Sequence, residues 1–412
     1  MVRLPFRSIT LLRRHVVLCG VSTALIALGC FSVTSGELPD QLPTMTSDGP
    51  DGYFVVAAYV NGSRVRLVFD TGSELSVLTR STATRLGLKV TEWPSDQPVA
   101  PGKVGPGATE PFALTIWGVS LRASFGVLDV PVPFRLDGLL GWPALSKNVI
   151  HFDGRNAGFL DRVPPEAAAW LKLPLRAGAA TLGLDIPGRA GGTETLVVDT
   201  GGLDGISLDA REWRQWTATH PNRPRTLVAR YMPGASLRVQ ELTWTDEISI
   251  GPLTINGVFL REANIAETAV APAYRATVGL MALRRLDLIV DRKNGVAYIR
   301  PRAAPAPSPP HNRLGAVFVP SDLEKGNDLV GIVLNDSPAW EAGIRDGDVL
   351  LRIGDMDVST WRSDPDAKPG RFFERPAGTK LELTLRRGEK EFRITVVLRN
   401  LLGPGLASRS GS

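Results

Sequence analysis

The chain has 412 residues, 43% of them hydrophobic and 22% charged, a globular composition in which roughly 150 residues per domain suggests two to three domains. Its formal charge of +5 falls to +1 without Arg3, Arg7, Arg13 and Arg14 at the N-terminus, so the body is close to neutral and has no basic stripe. That excludes a nucleic-acid partner. Both cysteines, Cys19 and Cys30, lie near the N-terminus, which excludes a disulfide or a cysteine-ligated metal in the body.

Arg13-Arg14 precede an uncharged apolar run over 16–33, the pattern of a signal segment over 1–36 that directs export to the periplasm or cell envelope. Ala27-Leu28-Gly29-Cys30 is an imperfect lipoprotein signal, with Cys30 as the lipidation candidate. Processing with lipid, processing without lipid, and retention as a membrane anchor all stay open.

Strand patterns begin at Tyr53. Asn61-Gly62 is a hairpin signal, and Val65, Leu67 and Phe69 alternate with Arg64, Arg66 and Val68 as a half-buried strand does. A strand is predicted at 76–78 and a short helix at 81–86, stopped by Gly87. The apolar strand ends in Val68-Phe69-Asp70-Thr71-Gly72-Ser73, and the phrase returns 129 residues later as Val197-Val198-Asp199-Thr200-Gly201-Gly202. A second landmark is also duplicated. Leu139-Leu140-Gly141 matches Thr277-Val278-Gly279 at an offset of 138, at which Ala144/Ala282, Leu145/Leu283, Asp153/Asp291 and Asn156/Asn294 agree too. Ordered matches of this kind indicate one duplicated, β-rich unit, spanning 53–161 and 170–302. In the second unit, Arg211-Glu212-Trp213-Arg214 reads as a solvated helix face, with Asp209 and Glu212 as a capping box.

A proline-rich linker follows over 303–312, and a separate unit over 313–402. Its central phrase, Ser337-Pro338-Ala339-Trp340-Glu341-Ala342-Gly343, reads as a short helix stopped at Gly343. A turn at Asp346-Gly347 and two strands around Gly388 come after it.

The two Asp-Thr-Gly phrases with their later Gly landmarks resemble the retropepsin-like aspartic peptidases, and the tandem order resembles the pepsin-like single-chain plan. The resemblance implies a mainly β fold with two closed β-barrel lobes forming a bilobal acid protease. It implies Asp70 and Asp199 as the catalytic dyad, with loops formed by Thr71, Gly72, Ser73, Thr200 and Gly201. Thr71 and Thr200 would cross-brace those loops, and Leu140-Gly141 and Val278-Gly279 would support them from beneath. Flap candidates are Val104 and Gly105 in the Gly-rich 101–107 stretch and Tyr231 in the second unit; Tyr231 reads equally as a packed loop aromatic. The phrase at 337–350 resembles a PDZ domain, which implies a ligand peptide or C-terminus bound at Leu314, Gly315, Ala316 and Val317, or else a docking domain that binds no free peptide.

The residue types suit the chemistry. Two carboxylates about 3 Å apart cannot both ionise, so one proton is shared and the pair supplies a base and an acid for water attack. Gly72 and Gly201 allow positive φ and close backbone approach at the turn. No cofactor and no metal is implied, since His15, His151, His220 and His311 are scattered without ligand spacing. No nucleophile elbow and no phosphate-binding loop is present. The departure is Gly202, where the first copy has Ser73 and the family a hydroxyl or Ala; either another group replaces that hydroxyl or the second lobe is degenerate. The expected function is an exported aspartic endopeptidase acting on protein or peptide substrates as a monomeric catalytic unit. The rivals are a non-catalytic peptide-binding scaffold, and a chain that takes its second Asp from another molecule.

Overall fold

The computed structural model describes residues 45–46, 52–93, 106–117, 119–129, 136–144, 149–230, 237–264, 268, 271, 273–302, 310–364 and 366–402. The N-terminal segment with Cys30, the flap candidates Val104, Gly105 and Tyr231, and linker residues 303–309 lie outside them.

After β1 (Met45–Thr46), the first unit runs β2 (Val55–Val60), β3 (Ser63–Asp70), β4 (Val77–Thr79), α1 (Arg80–Arg85), β5 (Val90–Glu92), β6 (Gly107–Thr109), β7 (Phe112–Ile116), β8 (Val119–Ala123), β9 (Gly126–Leu128) and β10 (Gly138–Gly141). The two-residue turn between β2 and β3 has both Asn61 and Gly62 at positive φ (48° and 82°), the twist an antiparallel hairpin favours. Leu67, Val68 and Phe69 of β3 are buried in succession, as befits a strand covered on both faces. α1 starts one residue earlier than the sequence pattern suggests, because the Thr79 side chain accepts the Thr82 N–H and caps it.

The hairpin β11 (Val149–Phe152) and β12 (Asn156–Leu160) leads to β13 (Leu171–Pro174). The second unit is β14 (Gly183–Pro187), β15 (Thr193–Asp199), β16 (Ile206–Leu208), α2 (Ala210–Thr219), β17 (Arg225–Arg230), β18 (Arg238–Ile250), β19 (Leu253–Glu262), β20 (Tyr274–Gly279), α3 (Leu280–Leu283), β21 (Leu286–Asp291) and β22 (Val296–Pro301).

Strand pairing makes the duplication physical. The first unit contains the order β2-β3-β10-β4-β9 and the second β14-β15-β20-β16-β19. In each, the strand carrying Asp lies parallel to the strand carrying the Gly landmark, with Asp70 opposite Gly141 and Asp199 opposite Gly279. A third sheet, β1-β12-β11-β21-β22-β13, draws strands from both units. At its centre His151 pairs with Ile289, its own counterpart at the 138-residue offset, so an approximate twofold axis passes between them.

The expected closed barrels do not form among the described residues. The units are sheets of nine and seven strands with free ends in their pairing order. The strands following Gly141 and Gly279 leave their own units and pair with each other across the midline, so they do not close either sheet. One apolar core, including Phe54, Phe69, Phe152, Leu196 and Leu288, runs through both units and the shared sheet.

The capping box of α2 is half made. The Asp209 carboxylate accepts the Glu212 N–H at 2.7 Å, while the Asp209 N–H donates to the Arg275 carbonyl. Glu212 turns instead to Arg189 (3.0 Å) and Arg275 (3.3 Å), in a half-buried ion cluster that also holds Glu194. Trp213 and Trp216 on the same helix are buried, so this face is not solvated throughout.

The C-terminal unit has its own core, which includes Leu314, Leu350, Phe373 and Leu383. It consists of β23 (Ala316–Pro320), β24 (Leu329–Val333), α4 (Pro338–Glu341), β25 (Val349–Ile353), β26 (Met356–Asp357), α5 (Gly370–Phe373), β27 (Lys380–Arg387) and β28 (Lys390–Val397). Its sheet order is β23-β24-β25-β27-β28, with β26 on β25. Ser337 caps α4, and Gly343, Gly347 and Gly388 take the positive φ their turns need. Leu402 packs with Leu242, Trp244 and Phe259 of the second unit and so fastens the C-terminal unit to it.

Candidate active site

Asp70 and Asp199 sit at the ends of buried parallel strand pairs, and the loops that follow them meet face to face. Four hydrogen bonds join the loops. The Thr71 hydroxyl donates to the Val198 carbonyl (2.7 Å) and accepts the Thr200 N–H (3.0 Å). The Thr200 hydroxyl donates to the Phe69 carbonyl (2.7 Å) and accepts the Thr71 N–H (3.1 Å). Both threonines are fully buried. Each bond is made by a group that would otherwise be buried without a partner, so the crossing is held strongly.

The glycines set the separation of the carboxylates. A methyl carbon placed on Gly72 would lie 2.6 Å from the Asp199 carboxylate, and one on Gly201 would collide with the Asp70 carboxylate. Each lobe's glycine is therefore packed on the other lobe's acid. Neither glycine lies at positive φ, so of the two freedoms a glycine allows only close approach is used here.

The loop supports also fall in matching places. The Trp142 N–H donates to the Ser73 carbonyl (3.0 Å), and the Leu280 N–H to the Gly202 carbonyl (2.7 Å). The Gly141 N–H donates to Ser76 Oγ (3.1 Å), and the Gly279 N–H to the Gly205 carbonyl (2.8 Å). Side chains at Gly141 or Gly279 would meet the loop carbonyls of Leu75 or Asp204 at 2.6 Å. Leu140 and Val278 are buried beneath.

Burial and mutual repulsion set the charge state of the pair. Burial first, and then the negative charge of Asp199, push the Asp70 carboxyl well above the usual carboxylate range. Against this, Asp70 Oδ1 accepts the Gly72 N–H at 2.8 Å, and the Gly72 and Ser73 backbone groups both favour its charged form. Asp199 Oδ1 accepts two N–H groups, from Gly201 and Gly202, both at 2.9 Å. The missing hydroxyl at Gly202 is thus answered by its own backbone. Ser73, in turn, does not spend its hydroxyl on Asp70; it donates to the Leu75 carbonyl at 2.8 Å.

Of the flap candidates only the stems are described. The hairpin β5–β6 carries Val104 and Gly105 between its strands, and β17–β18 carries Tyr231. The peptide-loop candidates lie at the start of β23. Leu314 and Ala316 are fully buried, and the Leu314 and Gly315 N–H groups donate to Asn312 Oδ1 at 3.0 and 3.2 Å. Asn312 itself donates to the Leu227 carbonyl of β17 at 3.1 Å, and Thr226 Oγ1 donates to the Asn312 carbonyl at 2.8 Å. No group of three or more metal-ligating side chains occurs among the described residues.

Sequence reasoning missed the ion cluster behind the Asp199 loop. Asp204 is clamped by Arg261, Nε to Oδ2 at 2.7 Å, and by Arg230 on Oδ1. Its one sequence signal is an acid five residues after Asp199, where the first lobe has Leu75.

Residues 56–144 match a sequence family described as Aspartyl protease, a stretch that includes the Asp70 loop and Gly141. The first lobe therefore carries an aspartyl protease unit. No curated protein sequence matches the chain. Among solved structures, the aspartic proteinase from Irpex lacteus is similar at 12% identity over 64% of this chain and 98% of that chain, with a TM-score of 0.38.

Proposed function

We propose that this aspartyl protease cleaves internal peptide bonds with a water molecule activated between Asp70 and Asp199. The observation that carries the reading is the threonine-crossed junction, which packs each lobe's glycine on the other lobe's carboxylate. Burial and mutual repulsion favour a single proton shared by the pair, placed here on Asp70 with the charge on Asp199, whose Oδ1 accepts two backbone N–H groups.

Asp199 then takes a proton from the water as its oxygen attacks the scissile carbonyl carbon, and Asp70 gives its proton to the carbonyl oxygen. The resulting gem-diol breaks its C–N bond when a proton passes from Asp199 to the leaving nitrogen. One gem-diol hydroxyl proton returns to Asp70, which restores the pair. Gly202 does not favour a degenerate lobe, because its N–H serves Asp199.

The finer reading has two further parts. The N-terminal apolar run exports the protein to the cell envelope, and the C-terminal unit acts as a PDZ domain that delivers substrate or a partner. Tethering a weakly bound chain beside the cleft would raise its local concentration. With the Leu314 and Gly315 N–H groups engaged by Asn312, capture of a peptide carboxylate at that loop requires Asn312 to withdraw.

The test is cleavage of a diverse peptide mixture by purified residues 37–412 from about pH 3 to 8. Asp70→Asn and Asp199→Asn should each lower turnover by on the order of 10³-fold or more while the fold is kept. Equal cleavage by wild type and both variants would sink the two-aspartate mechanism.

A further inference from the structure

The two dyad loops share one backbone plan and are braced by different side chains. In the first, Ser73 Oγ donates to the Leu75 carbonyl and Ser76 Oγ accepts the Gly141 N–H. The counterparts of Ser73, Leu75 and Ser76, 129 residues on, are Gly202, Asp204 and Gly205. Both hydroxyls are gone, and a carboxylate stands where the first lobe has an apolar side chain.

That carboxylate is held from two strands. Arg261 of β19 donates Nε to Asp204 Oδ2 at 2.7 Å, and Arg230 at the end of β17 pairs with Oδ1. Asp204 is 8% exposed and Arg261 4%. Arg261 is fixed in turn by Gln240 Oε1 (3.2 Å) and the Glu262 carbonyl (3.0 Å), and Gln240 Nε2 donates to that same carbonyl at 2.7 Å. The clamp reaches Asp199 through backbone. The Asp204 carbonyl accepts the Met281 N–H at 3.0 Å, the Gly202 carbonyl accepts the Leu280 N–H at 2.7 Å, and the Gly202 N–H holds Asp199 Oδ1.

We propose that Asp204, clamped by Arg261 and Arg230, is the positioning residue of the Asp199 loop and replaces the serine braces of the Asp70 loop. A buried ion pair is weak evidence for stability, since well-packed apolar side chains often serve as well. Its value here lies in fixing the direction of the Gly202 N–H. A loop that slackens there misplaces one carboxylate of a pair whose geometry sets the rate. The inference rests on the two-aspartate reading of the site.

The experiment compares wild type with Asp204→Asn, Arg261→Lys and the triple variant Asp204→Leu/Arg230→Met/Arg261→Met. The triple variant removes all three charges of the clamp and carries leucine where the first lobe has Leu75, so it provides a comparison if Asp204→Asn unfolds. Thermal melts establish folding, and kcat, KM and the pH–rate profile are the readouts. In folded variants kcat should fall by roughly ten- to a hundredfold with KM within about twofold. The acidic limb of the profile should move upward, because Asp199 loses a hydrogen bond to its charged form. Arg261→Lys, which keeps the charge without the guanidinium fork, should recover part of kcat. A folded triple variant with wild-type kcat and profile overturns the positioning role and leaves the two-aspartate reading standing. Failure of that reading shows separately, as wild-type activity no greater than that of Asp70→Asn.

Discussion

The two lobes share their strand order and their threonine crossing, but they differ in what secures the loop behind each acid. The Asp70 loop is braced by its own serine hydroxyls, Ser73 on the Leu75 carbonyl and Ser76 on the Gly141 N–H. The Asp199 loop has glycines at those positions and depends on arginines from β17 and β19. The comparison separates what a shared proton demands of both loops from what each loop can obtain in its own way. Both need a threonine that reaches across and a glycine that admits the opposite carboxylate. The outer brace is free to vary, provided that something fixes the direction of the N–H groups.

The largest effect should come from the shared part. Thr200→Ala removes the acceptor for the Thr71 N–H and the donor to the Phe69 carbonyl. Thr71→Ala does the same to Thr200 and Val198. Each leaves two buried backbone groups unsatisfied, so each should cost about 2–4 kcal/mol in chemical denaturation. The near-symmetry of the bonds requires the two costs to agree closely. A cost confined to one threonine would break the equivalence of the lobes.

The next effect lies at the position where the lobes diverge. A side chain at Gly202 would place its first carbon 2.7 Å from Asp199 Oδ2. Gly202→Ser should therefore lower kcat by about tenfold, although it makes the second phrase read like the first. Ser73→Gly loses the hydroxyl's two bonds with Leu75, costs about 1 kcal/mol of stability and changes kcat by less than about threefold. If Gly202→Ser were as active as wild type, the lobes would be interchangeable at this position.

A pH series separates the acids themselves. The folded state raises the Asp70 carboxyl above its unfolded value, so it binds that proton more tightly than the unfolded chain does. Stability from this group is therefore full in acid and is lost as pH rises from the unfolded value through the raised folded one. Asp70→Asn removes the titration and should melt several degrees above wild type near neutral pH, with the gap closing in acid. Asp199→Asn should also raise the melt near neutral pH, because it removes the negative charge that pushes the Asp70 carboxyl up. A gap independent of pH would show that the charge on the pair costs nothing.

Much of this frame was legible in the sequence, because its signals are local. A period-two strand running into Asp-Thr-Gly, a later apolar-apolar-Gly and the Asn-Gly turn each announce themselves within a few residues, and the constant offset exposes the duplication. Lobe closure was not legible. Whether β11 and β21 complete their own sheets or join each other is decided by tertiary pairing that strand pattern does not encode. The reason for Gly72 and Gly201 was not legible either, since a glycine needed for approach looks the same as one needed for positive φ. The Asp204–Arg261 clamp spans 57 residues, and its one local sign, an acid five residues after Asp199, does not reveal the arginine.

The smallest predicted effect concerns a third asymmetry, for Leu402 and Asn312 fasten the C-terminal unit to the second lobe. Asn312 acts on two sides at once. Its Oδ1 accepts from Leu314 and Gly315, and its Nδ2 donates to the Ala316 carbonyl (2.9 Å) and to the Leu227 carbonyl of β17. A peptide carboxylate seeking the same N–H groups must displace that amide, and with it one tie to the strand that ends at Arg230. Asn312→Ala removes the competitor. A peptide with a free C-terminal carboxylate should then bind about tenfold tighter by calorimetry, while its C-terminally amidated form should bind no better than to wild type. Asn312→Asp keeps an acceptor oxygen but loses both donations and adds a negative charge, so it should bind the carboxylate more weakly than Asn312→Ala. Equal affinity of wild type and Asn312→Ala for the free-acid peptide would mean that this loop is not where a carboxylate binds, and that the C-terminal unit serves the second lobe by docking alone.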